Sequence, residues 1–428
     1  MAPVPALDSK RRLASIIGGT IGNLVEWYDW FVYAAFSLYF AKAFFPAGDQ
    51  TAQLLNTAAV FAVGFLMRPF GGWLLGWYAD KYGRKTALTV AVMMMCGGSL
   101  LIAITPGYAT IGVLAPILLV FARMIQGLSV GGEYGAGATY LSEMATADRR
   151  GYYASFQYVT LIMGQLIALG VLIVLQHALT DAQLHAWGWR VPFFLGALCA
   201  VIAFYIIKGI DETSSFTALS ERKRHGLMRQ LAAHPRAVLT VVGLTIGGTI
   251  SYYTFAIYIQ KFLVNTSGWT KNDATVLSAT TLFFYMLLQP LFGLLSDKVG
   301  RRPLLITFGA LGAIMTVPFM TILSHTTDFT TAFIVTMAAL TVISCYTSIA
   351  GVVKAEMFPT EIRTLGVGLP YAVAVSVFGG TVEYVALSLK EGGHESWFSW
   401  YVTVCVAISL AVYATMPDTK RHSAIKEA

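Results

Sequence analysis

The sequence predicts an all-α integral membrane protein with twelve transmembrane helices in two pseudo-symmetric bundles of six. Composition is the first reason. Of the 428 residues, 56% are hydrophobic and only 12% are charged, whereas soluble globular chains carry about 25% charged residues. The mean hydropathy is +0.65. The other reasons are the number of long apolar segments and a charged turn that occurs twice.

The apolar residues are grouped into twelve segments, each long enough for a bilayer-spanning helix of about 20 residues. Backbone groups find no water in lipid, so segments of this length must be helical. The first segment follows a basic stretch and is too long for a cleaved signal, which indicates an uncleaved first helix. The predicted spans are residues 14–41, 53–78, 86–105, 111–143, 151–176, 189–209, 237–264, 273–296, 303–324, 329–355, 365–389 and 396–416.

The chain divides into two halves that repeat the same charged turns. The longest polar interval, residues 211–236, separates six spans in residues 1–210 from six in residues 237–428. One turn reads GWYADKYGRK from residue 76 and GLLSDKVGRR from residue 293. The other reads SEMATADRRG from residue 142 and AEMFPTEIRTLG from residue 355. Such repetition is typical of transporters whose halves rock around a site near the middle of the membrane.

Lysine and arginine are concentrated in the loops on one side of the predicted membrane. With the N-terminus in the cytoplasm, 22 of the 29 lysines and arginines fall on the cytoplasmic side, Lys354 among them. The positive-inside rule therefore places both termini in the cytoplasm. This distribution explains the net charge of +7, so we expect a lipid bilayer, and no nucleic acid, as partner.

The repeated turns carry charges that suit a latch at the cytoplasmic mouth. Asp80 and Arg84 lie four residues apart around a tight turn, where Asp can face a helix N-terminus and Arg can face a carboxylate. A loop that only fixes the orientation of the protein is the alternative, and the repetition of the acidic residue favours the latch. The predicted latch residues are Asp80, Arg84, Glu143, Arg150, Asp297, Arg301, Glu356 and Arg363.

The repeated turn, G-x-x-x-D-K-x-G-R-[KR], resembles the signature that follows the second span in the major facilitator superfamily. EWYD (26–29), RPFGG (68–72), RMIQGLSVGGEYG (123–135) and AEMFPTEIR (355–363) resemble its metabolite–proton symporter branch. The resemblance implies the major facilitator fold, alternating access, and transport driven by the proton gradient across a bacterial inner membrane.

Four longer stretches narrow the implied substrate. They are ASFQYVTLIMGQ (154–165), YIQKFLVN (258–265), YTSIAGVVKAEMFP (346–359) and GVGLPYAVAVSVFGGTVEYVALSLK (366–390). All four are similar to members of the branch that carry α-ketoglutarate, a dicarboxylate. The resemblance therefore implies import of α-ketoglutarate by proton symport. Citrate or another carboxylate, and then proline or betaine, are the alternatives.

Ionisable residues inside the spans mark the candidate site, because inserting each one costs about 2.5–3.5 kcal/mol. All seven histidines lie in loops, at span ends or in the tail, so a carboxylate is the predicted proton carrier. Asp29 lies ~22 Å into the first span and Arg123 ~18 Å into the fourth from the other side, which allows contact. The resemblance to proton-coupled sugar porters implies that they form the coupling pair. A permanent structural ion pair is the alternative.

Three further acids are candidates for carrying protons. Glu26, three residues before Asp29, lies on nearly the same helix face. It either raises the pKa of a shared proton site or neutralises Arg68, and the sequence leaves both open. Glu133 and Glu383 are second-rank candidates, either as proton carriers or as buried hydrogen-bonded residues.

A dicarboxylate needs cations, and Arg68 and Lys261 are the predicted ones. Arg68 lies inside a span and can bind a carboxylate bidentately, with helix packing as the alternative. Lys261 lies near the outer end of the seventh span, where it either binds the second carboxylate or extends to the membrane interface. Other predicted substrate-binding residues are Tyr253, Tyr258, Gln157, Gln165 and Tyr371. Tyrosines also line membrane interfaces.

Other function classes lack support in the sequence. GLSVG (127–131) matches the G-x-S-x-G of serine hydrolases, but that motif needs a strand–turn–helix corner. Gly127, Gly131 and Gly135, at four-residue spacing, indicate close helix packing instead. With no Walker A motif and no Cys/His metal spacing, we expect no cofactor, no metal and no enzymatic activity. A channel would not need two repeated latches. We expect a monomeric carrier of a small dicarboxylate and protons.

Overall fold

The computed structural model describes residues 9–82, 84–131, 133–146, 148–208, 231–359 and 362–425, and every regular element among them is a helix. Eight of the described helices are long and apolar enough to cross a membrane, and two more are shorter and apolar. The predicted all-α, twelve-span architecture is confirmed. Most of the predicted central loop, residues 211–236, lies outside the described residues, so the domain boundaries stay predictions.

The described helices form twelve spans in chain order, five of them built from two helices. The first six spans are α1 (Ser9–Phe44), α2 with α3 (Gln50–Leu66, Arg68–Tyr82), α4 (Arg84–Ile104), α6 with α7 (Leu114–Val130, Glu133–Met144), α8 (Arg150–Ala178) and α10 (Val191–Lys208). Two short helices, α5 (Tyr108–Ile111) and α9 (Asp181–Ala186), lie in loops.

The second half also has six spans, of which the first, fourth and fifth are composite. They are α11 with α12 (Pro235–Tyr252, Ile259–Asn265), α13 (Lys271–Val299), α14 (Arg301–His325), α15 with α16 (Phe329–Thr347, Ala350–Ala355), α17 with α18 (Arg363–Ala374, Val382–Glu391) and α19 (Ser396–Thr415).

Three of the composite spans are interrupted well inside the span. The second span breaks at Met67, directly before Arg68. The seventh and eleventh spans contain π-helical turns, at Tyr253–Tyr258 and Val375–Gly379. Such turns occur frequently at functional sites because they disturb the regular backbone ladder. The interruptions therefore point to the layer between the two halves as the candidate site.

The halves meet at both ends of the molecule. We call the end that carries Arg150, Asp297 and Arg301 the basic face, and the other end the opposite face. Near the basic face, α7 packs against α16 and α17. At the opposite face, Asn265 donates to Thr51 at 3.3 Å and Lys271 lies 3.4 Å from Asp181. The structure is therefore closed toward both faces.

A small cavity lies between the halves. Its volume is about 10 Å³, it lies between the first, fifth, seventh and eighth spans, and Gln165 and Gln260 are in its wall. That volume holds about one water molecule. A metabolite therefore does not fit into this cavity.

Two glycines allow backbone contact across the halves at the basic face. A Cβ atom on Gly151 of the fifth span would lie 2.7 Å from the Gly293 carbonyl oxygen. A Cβ atom on Gly293 of the eighth span would lie 2.6 Å from the Gly151 carbonyl oxygen. Neither position has room for a side chain while this face is closed.

The GLSVG segment is helical, as predicted. A Cβ atom on Gly127 would lie 2.0 Å from the Gly64 carbonyl oxygen, and one on Gly131 would lie 2.1 Å from the Arg68 carbonyl oxygen. These glycines therefore bring the fourth span against the second, and the close-packing interpretation is confirmed.

Candidate functional site

In the N-terminal half, Asp29 is buried in a network of uncharged hydrogen-bond donors. Asp29 is 1% exposed and accepts hydrogen bonds from the Ser99 hydroxyl and, at 2.5 Å, from the Gln126 amide. Gln126 accepts in turn from Arg123 Nη1 at 2.8 Å. The structure therefore brings the predicted coupling pair, Asp29 and Arg123, into one network. Gln126 separates them, and these two described residues form no direct ion pair.

Arg123 is held by aromatic rings rather than by a carboxylate. Its guanidinium carbon lies 3.9 Å from the ring centroid of Trp30 and 4.4 Å from that of Tyr33, which stabilises a cation through the ring quadrupole. Its Nε and Nη2 atoms are buried without hydrogen-bond partners among the described residues. Within the described residues, the positive charge is balanced by Asp29 only at a distance, across Gln126.

Arg68, like Arg123, is buried against aromatic rings. It is 4% exposed, and its guanidinium carbon lies 3.9 Å from the Phe65 centroid and 4.3 Å from that of Trp30. Its Nε and Nη2 atoms also lack partners within the described part of the chain. Glu26 is buried but makes no ion pair with Arg68, and its Oε1 atom lacks a hydrogen-bond partner too. Neutralisation of Arg68 by Glu26 is therefore not what the structure shows.

A third buried cation, Lys354, was missed by the sequence analysis, which counted it among the loop charges. The predicted tenth span, residues 329–355, does include Lys354, but its count as a loop charge is wrong, because it is fully buried in the last turn of that span. Its Nζ atom donates to the Tyr134 hydroxyl at 3.1 Å and lies 4.3 Å from the Tyr371 ring centroid. No described carboxylate pairs with it. Near a span end, a buried lysine looks the same in sequence as a loop lysine.

One signal could have identified Lys354. The repeat aligns Glu356 with Glu143, so Lys354 aligns with Leu141. A position that is apolar in one copy of a repeat and cationic in the other is a poor candidate for a charge that only fixes membrane orientation.

Several predicted substrate-binding residues lie around Lys354 and Arg68. Tyr371 stacks on Tyr134 of the other half, with 3.4 Å between ring centroids and an interplanar angle of 9°. Tyr371 and Tyr253 are both close enough to Arg68 to interact with its charge. Gln157 donates to the Tyr134 carbonyl at 3.2 Å. We call this group the central cluster: Arg68, Tyr134, Gln157, Tyr253, Lys354 and Tyr371.

The remaining predicted residues lie elsewhere. Lys261 is 2% exposed and forms a buried ion pair with Glu383 of the eleventh span, so extension to the membrane interface is excluded. Gln165 donates to the Ala256 carbonyl at 2.6 Å, beside the π-helical turn. The Tyr258 ring contacts Phe398 within its own half. The structure therefore does not bring these residues into the central cluster. The side chain of Glu133 lies outside the described part.

The second copy of the charged turn connects the halves at the basic face. Asp297 accepts from the backbone N–H groups of Gly151 and Tyr152 at 2.8 and 2.9 Å, at the N-terminus of α8, where a carboxylate is favoured. Arg301 lies 2.7 Å from Asp297 and 3.5 Å from Glu356. Burial raises the pKa of the Glu356 carboxyl, and Arg301 opposes that shift.

The C-terminal segment, residues 418–425, packs against charged residues of the same face. Asp418 accepts from the Arg301 backbone at 3.2 Å, and Thr419 donates to Glu356 at 2.6 Å. Arg363 donates to the Ala424 carbonyl at 3.2 Å and Arg150 to the Ile425 carbonyl at 3.4 Å. The side chains of three predicted latch residues lie outside the described part: Asp80, Arg84 and Glu143.

Comparisons with known proteins identify the family. The model of the family "Sugar (and other) transporter" matches residues 16–234 and 221–427. The alpha-ketoglutarate permease of Escherichia coli (strain K12) is 54% identical over 405 residues, covering 95% of this chain and 94% of that protein. A citrate-proton symporter of Klebsiella pneumoniae is 34% identical over 387 residues, covering 89% and 86%.

A solved structure matches the fold as well. The D-xylose-proton symporter aligns with a TM-score of 0.73 at 19% identity, covering 94% of this chain and 97% of that one. At this identity the likeness concerns the fold alone. Two six-helix bundles with repeated turns, and a family match in each half, lead to one conclusion: the chain belongs to the sugar (and other) transporter family of the major facilitator superfamily.

Proposed function

We propose that the protein imports α-ketoglutarate together with protons across the bacterial inner membrane by alternating access. The observation that carries the proposal is the buried positive charge between the halves. Arg68, Arg123 and Lys354 have no carboxylate within ion-pair distance among the described side chains. Uncompensated buried charge is costly, and a dianionic substrate supplies the missing negative charge. The 54% identical permease names the dicarboxylate.

Asp29 is the proposed proton carrier. Its carboxylate accepts from Ser99 and Gln126, and a protonated carboxyl group instead has a hydrogen to donate. Protonation therefore weakens the contact through which Gln126 connects Asp29 to Arg123. A ligand or proton shifts a two-state equilibrium only through such a difference between states. We infer that this change makes Arg123 free to move as the faces alternate.

We also propose an orientation, a latch and an energy source for this carrier. The basic face is cytoplasmic, as the distribution of lysine and arginine indicates. The charged turns act as the latch that opens this face. The carrier works as a monomer, without a cofactor, and the proton gradient supplies the energy. Glu26 stays a candidate second proton site.

Uptake into proteoliposomes tests the proposal. Labelled α-ketoglutarate is offered with and without an inward proton gradient, in competition with citrate, succinate and proline. We expect saturable accumulation that needs the gradient, with carboxylates as the competitors. Accumulation without a gradient would remove proton coupling from the proposal, flux that does not saturate would indicate a channel, and competition by proline alone would indicate a different substrate class.

A further inference from the structure

We propose that Lys354 and Arg68 are the two anchors of the dicarboxylate, one in each half, with Tyr371 between them. Lys354 then replaces Lys261 as the residue that binds the second carboxylate. The inference rests on the proposed function and assigns its substrate specificity to named side chains.

Lys354 has the free bonding capacity that an anion site requires. An ammonium group has three donors, and the described residues supply one hydrogen-bond acceptor, the Tyr134 hydroxyl. The ring centroids of Tyr371, Tyr134 and Tyr346 lie 4.3, 5.0 and 5.9 Å from Nζ. Aromatic rings stabilise the charge but leave two N–H donors available. A substrate carboxylate can take both.

Arg68 offers a matching site from the other half. Its unpartnered atoms, Nε and Nη2, share one edge of the guanidinium plane, which is an edge that a carboxylate can bind bidentately. The helix that begins at Arg68, α3, packs against α17, which carries Tyr371. Tyr371 is close enough to Arg68 to interact with its charge, so it borders both cations.

Lys261 is a weaker choice because its charge is already compensated. Lys261 and Glu383 are 2% and 4% exposed and pair with each other. A substrate carboxylate that took Lys261 would leave Glu383 buried without its partner, which is strongly unfavourable. Lys354 has no such partner to lose among the described residues.

The Tyr134 hydroxyl is a substitute ligand, because it accepts from a Lys354 donor that a substrate carboxylate can take over. Tyr134 belongs to the N-terminal half and Lys354 to the C-terminal half, so their hydrogen bond joins the two halves. A bound carboxylate takes over this bond. The substrate then bridges the halves through Lys354 and Arg68, which favours closure around a dicarboxylate over closure around a molecule with one carboxylate.

Binding to the purified full-length protein tests the two anchors. Affinity is measured for α-ketoglutarate and for 2-oxopentanoate, which has the same carbon chain but lacks the distal carboxylate. Loss of a charge-assisted contact predicts that Lys354→Gln weakens α-ketoglutarate about 10-fold or more. We expect 2-oxopentanoate to change by less than about threefold and Lys354→Arg to recover part of the loss. Arg68→Gln should weaken both ligands, because each keeps the carboxylate beside the keto group.

Two controls separate this inference from the proposed function. Wild type that binds citrate or proline but not α-ketoglutarate overturns the proposed substrate and, with it, the anchors. Wild type that binds α-ketoglutarate, with Lys354→Gln within about twofold of it, overturns the anchors alone. Equal weakening of both ligands by Lys354→Gln would show that Lys354 only supports the fold. A Lys261→Gln, Glu383→Gln double variant, which removes the compensated pair, should keep the preference for the dicarboxylate.

Tyr134→Phe tests the substitute ligand in a chain that keeps its ring stack and both cations. We expect α-ketoglutarate to bind this variant at least as tightly as wild type, because Lys354 no longer has a hydroxyl partner to release. Binding that is more than about threefold weaker would show that the hydroxyl belongs to the substrate site, and the substitute role would be wrong.

Discussion

The two halves of this transporter share a fold and two charged turns but bury their acids in different ways. In the N-terminal half, Asp29 accepts from the neutral groups of Ser99 and Gln126, and Arg123 is one residue further away. In the C-terminal half, Glu383 contacts the charge of Lys261 directly. An acid among neutral donors changes its protonation state without leaving a buried cation unpaired. An acid in direct contact with a lysine does not, so we infer that the N-terminal half carries the proton.

The largest expected effect comes from removing the acid of the N-terminal half. Asp29→Asn keeps the shape of the side chain but cannot release a proton, so gradient-driven accumulation of α-ketoglutarate should be abolished. Exchange of internal for external substrate should continue, because exchange requires no proton release. Both are measured in the same proteoliposomes. Accumulation at the wild-type level would show that Asp29 is not the coupling site.

The second effect concerns the stability of the C-terminal half. Lys261→Ala leaves Glu383 buried and unpaired, and such a change costs about 3–5 kcal/mol. We expect a clearly lower Tm in thermal unfolding of the detergent-solubilised protein. The double variant Lys261→Met, Glu383→Leu removes both charges and should recover most of the loss. If the single variant is as stable as wild type, the pair is not a fixed ion pair, and the contrast between the halves fails.

A smaller effect is expected from Gln126→Leu, which removes the link between Asp29 and Arg123. A hydrogen bond to a charged group contributes about 1.5–3 kcal/mol, and Ser99 still donates to Asp29. Driven uptake should therefore fall by about tenfold or more without being abolished, while exchange is less affected. Gln289→Leu, at a buried amide of the eighth span that donates to Ser344 and lies outside this network, is the matched control. Equal losses in exchange and in driven uptake would place Gln126 in substrate binding instead.

The smallest effect is expected at the basic face. Asp297→Asn keeps one acceptor for the N–H groups of Gly151 and Tyr152 but loses the charge at a helix N-terminus, which is worth about 0.3–1 kcal/mol. It also loses the ion pair with Arg301, which keeps Glu356 as a second carboxylate 3.5 Å away. Transport should slow by about two- to fivefold, with substrate affinity unchanged. Asp80→Asn, the same change in the first copy of the turn, should do likewise. Loss of binding in both variants would contradict the latch.

The sequence predicted what depends on local pattern and repetition. Twelve apolar segments predicted the spans, and the four-residue glycine spacing predicted close helix packing, although not that the second span is the partner. The depths of Asp29 and Arg123 predicted their proximity, because a regular helix converts residue number into depth. The intervening Gln126 was missed, although it lies three residues after Arg123 on the same helix.

Contacts between residues far apart in the sequence could not be predicted from local sequence patterns. The partner of Lys261 lies 122 positions away in another span, and no periodicity connects the two. Lys354 was placed in a loop because a lysine near a span end is usually a topology signal. Its burial comes from packing of the helix Ala350–Ala355 against two helices of the other half, and the alignment with Leu141 indicates an unusual position without naming these partners.

The contact between Gly151 and Gly293 limits the size of the side chain that each position can hold, and this limit does not depend on the ion pairs of the basic face. Any side chain at either position acts as a wedge, since its first carbon would lie within 2.7 Å of a backbone oxygen of the other half. Reversing a 99:1 population needs about 5.5 kcal/mol, which a large side chain placed there can supply through steric overlap. A bulky residue at Gly293 is thus a means of holding the molecule open on one chosen side, so that the outline of the empty cavity can be seen directly.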